Sequence, residues 1–259
     1  ALNILNGYNF DHRGPETAHV QIEAIKLAFA DTLKYVADPR VSDVPVKEML
    51  STEYAAKRRE LITDKAQQPV AGDFKQSGTV YLCTADGEGN MVSFIQSNYG
   101  GFGSGVVVPG TGISLNNRGS SFSLDPKHPN VVAPEKRPYN TIIPGFVTKD
   151  GKAVGPFGVM GGFMQPQGHV QVLMNCIDFG MNPQQALDAP RWQWMRDKKV
   201  VVEGSYPVED LRKLERMGHD ISYDTLAGDF GRGEIIWRME DGTLVGGTES
   251  RTDGCIATW

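Results

Sequence analysis

The hydrophobic pattern of this chain changes its period at Thr79, and the change limits the class of fold that the sequence can form. Upstream, residues 19–36 repeat apolar side chains at helical spacing: Ile22, Ile25, Phe29, Leu33 and Val36. From Thr79 onward, "TVYLCT" and "MVSFIQS" flank the turn sequence "ADGEGN", a pattern typical of a β-hairpin. A helical segment that leads into paired strands predicts an α+β protein.

Further helices and strands are indicated along the rest of the chain. Ser51 is placed to cap a second helix over residues 52–62, and a helix is predicted over 169–179. Two more helices are indicated by "NPQQALDA" and "VEDLRKLERMG". The strand candidates are "SGVVVPG", "GISLNN", "TIIPGFVT", "AVGPFGVM", "KVVVEG", "DISYDT", "EIIWRM" and "GTLVGG". Strands in consecutive groups, with helices between the groups, predict two sheets with helices outside them.

The segment from Thr63 to Gly78 separates the two patterns. It is polar, contains glycine and proline, and has no apolar period, so it predicts a linker or surface loop. We therefore expect a helical region over residues 1–78 and a strand-rich region over 79–259. The opening "ALNILNGYNF" resembles a helix entered midway, which suggests a chain cut from something longer.

Composition excludes several classes of function. Apolar residues make up 40% of the chain, and the net charge of −5 has no basic stripe for nucleic acid. There is no polybasic run and no apolar segment of ~20 residues, so no membrane partner is expected. The cysteines are too far apart in sequence to form a metal-binding pair, and we expect neither a metal nor a cofactor. The cellular compartment, cytoplasmic or exported, stays open.

The Gly78–Thr79 peptide bond has two interpretations. Glycine suits a loop and threonine suits a strand, so the pair can simply mark where a strand begins. Alternatively the bond is cut, which makes Thr79 a new N-terminus. Its α-amino group, with a pKa of about 7.7–8.0 in peptides, can then take the proton of the threonine hydroxyl. Gly78 suits such a cut because it lacks a Cβ and leaves room for attack on its carbonyl.

Two further features are compatible with acyl transfer. Gly161 and Gly162 follow a predicted strand and precede a helix, where backbone N–H groups can stabilise an oxyanion, although Gly-Gly is also common in plain turns. Arg118 lies in a stretch rich in glycine and hydroxyl side chains. It can bind a substrate carboxylate through two hydrogen bonds, or it can form a surface ion pair. His169 is either a base or a packed side chain, and an amine-based threonine mechanism does not need it.

These features occur together, in this order, in one known family. From Thr79 to the C-terminus the chain resembles the catalytic small subunit of γ-glutamyltranspeptidases, and residues 1–78 resemble the end of the large subunit of the same precursor. The resemblance is carried by "TVYLCTADGEGNMVS", "FGSGVVVPGTGISLNN", "KRPYNTIIP", "GVMGGFMQPQGHVQVLMN", "NPQQALDAPRW" and "DGCIATW". The form "MGGFMQPQGH" is similar to a divergent, transpeptidase-like or acylase-like branch.

The resemblance implies a fold and a catalytic set. The fold is that of an N-terminal-nucleophile hydrolase, an αββα sandwich of two stacked antiparallel sheets with outer helices, matured by autocleavage at Gly78–Thr79. Thr79 would be the nucleophile, with Ser97 as its hydrogen-bond partner and Gly161 and Gly162 as the oxyanion pair. The large-subunit region of the same precursor would be a partner.

The resemblance also implies substrate contacts, with departures from the family pattern. Arg118 and Ser121 stand where the family has Gln and Asp, and Tyr99 stands where it has Asn. The Asp of the family binds the α-ammonium group of a γ-glutamyl substrate, and Ser121 lacks that charge. Asn140 and Thr141 replace a Ser-Ser pair that contacts the α-carboxylate.

Three functional hypotheses follow. The first is an acyltransferase-hydrolase for γ-glutamyl amides such as glutathione, and the second is an amidase for another acyl group, such as glutaryl, favoured by Ser121 and Arg118. The third is a non-enzymatic or inactive fragment that is unable to mature, favoured by the late start of the chain at Ala1. The carboxylate-binding Arg of the family would lie upstream of this chain. On the first two hypotheses the partner is a small amide substrate, and this chain alone is expected to be inactive.

Overall fold

A computed structural model of the chain describes residues 1–69, 78–224 and 227–259. The helices in these residues are α1 (Leu2–Leu5), α2 (Pro15–Tyr35), α3 (Val46–Met49), α4 (Thr52–Arg59), α5 (Met164–Ile177), α6 (Pro183–Asp188) and α7 (Val208–Arg216). The strands are β1 (Gly78–Ala85), β2 (Met91–Tyr99), β3 (Gly145–Lys149), β4 (Lys152–Met160), β5 (Trp192–Arg196), β6 (Lys199–Glu203), β7 (Asp220–Asp224), β8 (Arg232–Arg238) and β9 (Leu244–Thr248). Short 3-10 helices cover Arg118–Ser121 and Ala227–Phe230. No helix in the described ranges is both long and apolar enough to cross a bilayer.

The helix α2 joins the N-terminal part of the chain to the part that follows Thr79. Its apolar face is buried in a core that it shares with α5, α7 and the strands β5 and β6. Members of this core include Ile22, Ile25, Phe29, Trp192 and Trp194. The helical part and the strand-rich part are therefore held together by one hydrophobic core rather than by the connecting segment alone.

The predicted linker falls partly on residues 70–77, which lie outside the described residues. Its first part is tied to the helices. The Ala66 N–H donates to the Met217 carbonyl at 2.7 Å, and a ring nitrogen of His19 bonds to the Thr63 carbonyl at 2.8 Å. The chain is thus fixed along residues 63–67 before it continues toward β1.

The hairpin of β1 and β2 is antiparallel, as predicted, with Thr79 opposite Ser97 and Gly78 opposite Tyr99. The first strand begins at Gly78, one residue earlier than the sequence pattern indicates. One face of the hairpin carries the buried side chains of Thr79 and Tyr81. The opposite face exposes four apolar side chains, Val80, Leu82, Val92 and Phe94.

The buried face of the hairpin stacks on a four-stranded antiparallel sheet with the order β3-β4-β8-β9. The Tyr81 ring covers Gly158 of β4 so closely that a Cβ at Gly158 would lie 2.5 Å from a ring carbon. A second core, behind this sheet, packs β4 and β8 against α5 and α6. These stacked antiparallel sheets with outer helices confirm the predicted α+β fold.

Several details differ from the sequence prediction. A third sheet, β5-β6-β7, contains a parallel pair, β6 and β7, connected through α7. The candidates over residues 104–110 and 112–117 are not strands, and they share a single bridge between Val107 and Ser114. Glycines with positive φ, a conformation that interrupts a regular strand, follow one another there: Gly103, Gly105, Gly110 and Gly112. The helix predicted over 169–179 begins earlier, at Met164, directly after the Gly-Gly turn.

Candidate active site

Thr79 lies at the start of β1, where only 9% of the residue is exposed. Its Oγ1 donates a hydrogen bond to Oγ of Ser97 at 3.0 Å. The same Ser97 oxygen accepts the Tyr99 N–H at 2.9 Å. The hairpin register produces this contact, because Thr79 and Ser97 are direct cross-strand partners. A threonine hydroxyl oriented by a second hydroxyl in a mostly buried position suits a nucleophile that is activated by a nearby base.

Irregular backbone marks the same end of the hairpin. Tyr99 has a φ of 77°, in the left-handed region that residues other than glycine rarely adopt. The ladder also shifts its register between Gly78 and Thr79. Backbone strain costs about 1–3 kcal/mol and persists only where the surrounding structure fixes it, and it is concentrated at functional sites. The irregularity lies at the peptide bond that the sequence predicts to be cut.

Arg118 lies in the 3-10 helix over residues 118–121 and contacts the Ser97–Tyr99 end of β2. Its Nη1 donates to Oγ1 of Thr141 at 2.8 Å, and its Nη2 donates to the Ser97 carbonyl at 3.5 Å. The guanidinium group also lies 5.6 Å from the centroid of the Tyr99 ring, within the range of a cation–π contact. Partial burial lowers the pKa of Arg118, but a guanidinium group remains charged. Within the described part of the chain it pairs with no carboxylate, so its charge is available to an anionic ligand.

A cavity of about 290 Å³ opens beside Tyr99 and Ser121. It is also lined by Leu33, Val36, Ser120, Ser123, His128, Asn130, Tyr139 and Phe163. None of these lining residues is acidic. The Ser121 hydroxyl is turned toward the backbone, where it donates to the Arg118 carbonyl at 2.8 Å. The lining residues therefore offer hydroxyl and ring surfaces to a ligand, but no negative charge.

Gly161 and Gly162 form the turn between β4 and α5. Their φ angles are 136° and 59°, both in the region that favours glycine. The Gly161 carbonyl accepts the Met164 N–H at 3.0 Å, and the Gly162 carbonyl accepts the Gln165 N–H at 3.1 Å. The turn thus leads directly into the N-terminal end of a 14-residue helix, where the helix dipole favours a negative charge.

Gln165 connects this turn to Thr141, and the sequence alone does not single out this residue. It is 1% exposed, and its Nε2 donates to the Thr141 carbonyl at 2.8 Å. Thr141 therefore binds Arg118 through its hydroxyl and Gln165 through its carbonyl. The only signal in the sequence is a polar residue in the first helical turn after Gly-Gly, within "MGGFMQPQGH". Thr141 therefore connects Arg118, which bonds the Ser97 carbonyl, to Gln165, which follows the Gly161–Gly162 turn.

Two other candidate residues make no contact with Thr79, Ser97 or Arg118 among the hydrogen bonds described. Asn140 is exposed, and its Oδ1 accepts the Ile142 N–H at 3.4 Å. His169 is buried in α5, its Nδ1 bonds to the Gln165 carbonyl, and its ring meets the edge of Phe157. Burial lowers the pKa of His169. These contacts favour the interpretation of His169 as a packed side chain.

Comparison with known proteins assigns this arrangement to a family. The sequence profile described as Gamma-glutamyltranspeptidase matches residues 1–259. The chain belongs to the γ-glutamyltranspeptidase family. Among γ-glutamyltranspeptidase relatives, it is 39% identical over 269 residues to the glutathione hydrolase-like YwrD proenzyme of Bacillus subtilis (strain 168), over 98% of this chain and 50% of that protein. It is 36% identical to the oxamate amidohydrolase proenzyme of Klebsiella pneumoniae, over 93% of this chain and 47% of that protein.

Solved structures agree with this assignment. The crystal structure of cephalosporin acylase from Bacillus halodurans matches with a TM-score of 0.94 and 60% identity, over 100% of this chain and 48% of that one. The γ-glutamyltranspeptidase from Pseudomonas nitroreducens complexed with L-DON matches with a TM-score of 0.62 and 25% identity, over 69% of this chain and 98% of that one. The chain spans about half the length of the relatives named proenzymes. The predicted family and its N-terminal-nucleophile hydrolase fold are confirmed.

Proposed function

We propose that the parent protein is an acyltransferase-hydrolase that cleaves itself between Gly78 and Thr79 and then uses Thr79 as its nucleophile. The proposal rests on the 3.0 Å hydrogen bond from Oγ1 of Thr79 to Oγ of Ser97 at the start of β1. Residues 1–78 then belong to a large subunit, and residues 79–259 form the small subunit.

Maturation and turnover use the same hydroxyl. In maturation, Oγ1 of Thr79 adds to the Gly78 carbonyl, the peptide C–N bond breaks, and the freed amine of Thr79 takes the proton. Water hydrolyses the resulting ester, which leaves a Gly78 carboxylate and a Thr79 that carries both its amine and its hydroxyl. This sequence accounts for a glycine before Thr79, because attack on its carbonyl is not hindered by a side chain.

In turnover, the Thr79 amine takes the hydroxyl proton as Oγ1 attacks the substrate amide carbonyl. The N–H groups of Gly161 and Gly162 stabilise the oxyanion that forms. The ammonium group returns the proton to the leaving amine as the amide C–N bond breaks. Water or an acceptor amine then attacks the ester and releases the acyl group.

The candidate substrates are γ-glutamyl amides such as glutathione and amides of a dicarboxylate without an amino group, such as glutaryl amides. Arg118 supports an acyl group that ends in a carboxylate, which both substrates have. The cavity beside Ser121 has no acidic lining residue for an ammonium group, which favours the second class. The γ-glutamyl class is supported by the relative named glutathione hydrolase-like, and the acylase class by the cephalosporin acylase structure.

The preceding part of the precursor is the expected partner of this chain. The outer face of the β1–β2 hairpin leaves four apolar side chains 44–55% exposed, and contiguous apolar surface of this kind marks an interaction site. The hairpin carries Thr79 on its other face. Covering this face would stabilise the strand that carries the nucleophile, and we therefore expect the chain alone to be inactive.

The test is to express the full-length precursor with native Thr79 and with Thr79→Ala or Thr79→Ser. We expect two subunits on a denaturing gel for the native protein and a single unprocessed chain for Thr79→Ala. Mass spectrometry should place the new N-terminus at Thr79. Thr79→Ser keeps a hydroxyl and should retain slow processing. Normal processing and turnover of Thr79→Ala would refute the proposal.

A further inference from the structure

The motif "NPQQALDAPRW" has a role in the family resemblance but none in the proposed chemistry, and its arginine lies in a buried cluster of charges. Arg191 is 1% exposed and Glu249 is 2% exposed, and Nη2 of Arg191 donates to Oε2 of Glu249 at 2.8 Å. Arg251 pairs with Glu249 and with Glu203. Buried charges are costly unless they are paired and hydrogen-bonded, so a cluster of this size needs a structural or functional reason.

Besides its bond to Glu249, the Arg191 side chain makes hydrogen bonds to the backbone of two separate parts of the chain, and its backbone N–H donates to Oε2 of Glu203 at 2.7 Å. Its Nη2 also donates to the Leu187 carbonyl at 2.9 Å, at the end of α6. Its Nη1 donates to the carbonyls of Phe230 and Gly231, at 3.0 and 2.9 Å. The second pair of contacts fixes the backbone directly before β8. A planar guanidinium group can hold both regions at once, whereas a lysine ammonium group cannot reproduce this geometry.

The backbone that Arg191 holds lies against the Gly-Gly turn. A Cβ added at Gly161 would lie 3.0 Å from the Gly231 Cα. A Cβ added at Gly231 would lie 2.7 Å from the Met160 carbonyl oxygen, and Gly231 itself has a φ of 77°. Met160, the last residue of β4, pairs with Arg232, the first residue of β8, so Gly161 and Gly231 meet where this ladder ends. The turn therefore rests on backbone whose position depends on Arg191.

We infer that Arg191, neutralised by Glu249, is a positioning residue for the Gly161–Gly162 turn. The inference rests on the proposed function, in which this turn stabilises the oxyanion. Arg191 touches neither the nucleophile nor the substrate in this mechanism. It acts through Gly231, which sets the place of the Gly161 N–H relative to the reacting carbonyl. Displacement by about 1 Å of a group that stabilises a transition state can cost about 100-fold in rate, so the predicted effect is on kcat.

The test compares Arg191→Lys with Arg251→Lys in the full-length precursor. Both changes keep a positive charge in the same cluster. Arg251 donates to the carbonyls of Leu187 and Ala189, so its replacement leaves the contacts with Phe230 and Gly231 in place. We expect Arg191→Lys to lower kcat per processed active site by about 10- to 100-fold, with KM changed by less than about threefold. Arg251→Lys should lower the Tm comparably while kcat stays within about threefold.

A kcat for Arg191→Lys equal to that of Arg251→Lys would overturn the inference, because Arg191 would then act on stability alone. Where Arg191→Lys gives no folded protein, Glu249→Gln decides the question. It keeps a side-chain oxygen but removes the charge that holds Arg191, and it should lower kcat at nearly constant KM. An unchanged kcat for Glu249→Gln would also refute the inference. Failure of the proposed function would give a different result. The Thr79→Ala protein, in which Arg191 is intact, would then remain active.

Discussion

Thr79 and Ser97 face each other across the β1–β2 hairpin, and a hydrogen bond of 3.0 Å joins their hydroxyl groups. The Ser97 oxygen also accepts the N–H of Tyr99, whose backbone is in the left-handed region. The Ser97 side chain therefore contacts both the Thr79 hydroxyl and the irregular end of β2 opposite Gly78.

Ser97→Ala should lower kcat more than it lowers stability. Loss of a neutral hydrogen bond costs about 0.5–1.5 kcal/mol, which corresponds to roughly two- to tenfold in rate if the bond orients the attacking oxygen. The measurement is kcat and KM per processed site, together with the urea midpoint. Ser97→Thr keeps the hydroxyl and is the matched control. Equal activity of the alanine and threonine variants would mean that the hydroxyl contact is not used.

Substrate preference should change when the charges beside the cavity are exchanged. A charge-assisted hydrogen bond contributes about 1.5–3 kcal/mol, against about 0.5–1.5 for a neutral one, so Ser121 should discriminate several-fold less than an aspartate. We expect Ser121→Asp with Arg118→Gln to raise kcat/KM for γ-glutamyl anilide relative to glutaryl anilide. The native enzyme should prefer γ-glutamyl only weakly, if at all. A strong native preference that the double variant leaves unchanged would show that neither residue contacts that end of the substrate.

Gly158→Ala should destabilise the protein because the Tyr81 ring already occupies the space that the methyl group needs. Overpacking of this kind typically costs about 1–3 kcal/mol. Gly87→Ala is the control, since a Cβ there meets no atom within 4 Å. In urea denaturation, the free energy of unfolding should fall clearly for Gly158→Ala and should change by no more than about 0.5 kcal/mol for Gly87→Ala. If the double variant Gly158→Ala/Tyr81→Leu loses less stability than the sum of the two single variants, the contact is confirmed. Equal losses for Gly158→Ala and Gly87→Ala would exclude it.

His219 should make the fold less stable in acid. Its Nε2 lies 2.7 Å from Nδ1 of His19, and burial, followed by the nearby charge of Lys26, lowers the pKa of His219 to about 3. A histidine in an unfolded chain has a pKa of about 6.5. Below that pH the unfolded chain binds a proton at this histidine, whereas folded His219 remains neutral. The free energy of unfolding therefore falls as the pH decreases toward about 3, by at most about 1.4 kcal/mol per pH unit.

The measurement for His219 is the free energy of unfolding in urea at about pH 7 and about pH 5. His219→Gln retains a side-chain nitrogen for His19 and cannot be protonated in this range, so its stability should depend less on pH. Identical pH slopes for the native protein and His219→Gln would show that this histidine does not contribute.

Local sequence signals made the β1–β2 hairpin predictable. The alternating pattern and the turn "ADGEGN" specify the two strands, and the hairpin register then brings Ser97 opposite Thr79. The strand β5 has no comparable turn sequence beside it. Trp192 and Trp194 are buried in a core that includes α2, which lies far away in sequence, so the local pattern does not specify this strand. The contact between Arg191 and Glu249 spans 58 residues, and charge alone does not identify which arginine pairs with which glutamate.

The two-residue interval between Thr79 and Tyr81 has an evolutionary consequence. Both side chains lie on the buried face of β1, with the hydroxyl at the candidate site and the ring against Gly158. Side chains alternate along a strand, so inserting or deleting one residue between them would turn one of the two to the opposite face. Sequence drift at Val80 is compatible with this constraint, whereas a change of length is not. Mutant libraries for altered activity should therefore vary residue 80 among apolar types and keep the length of this interval fixed.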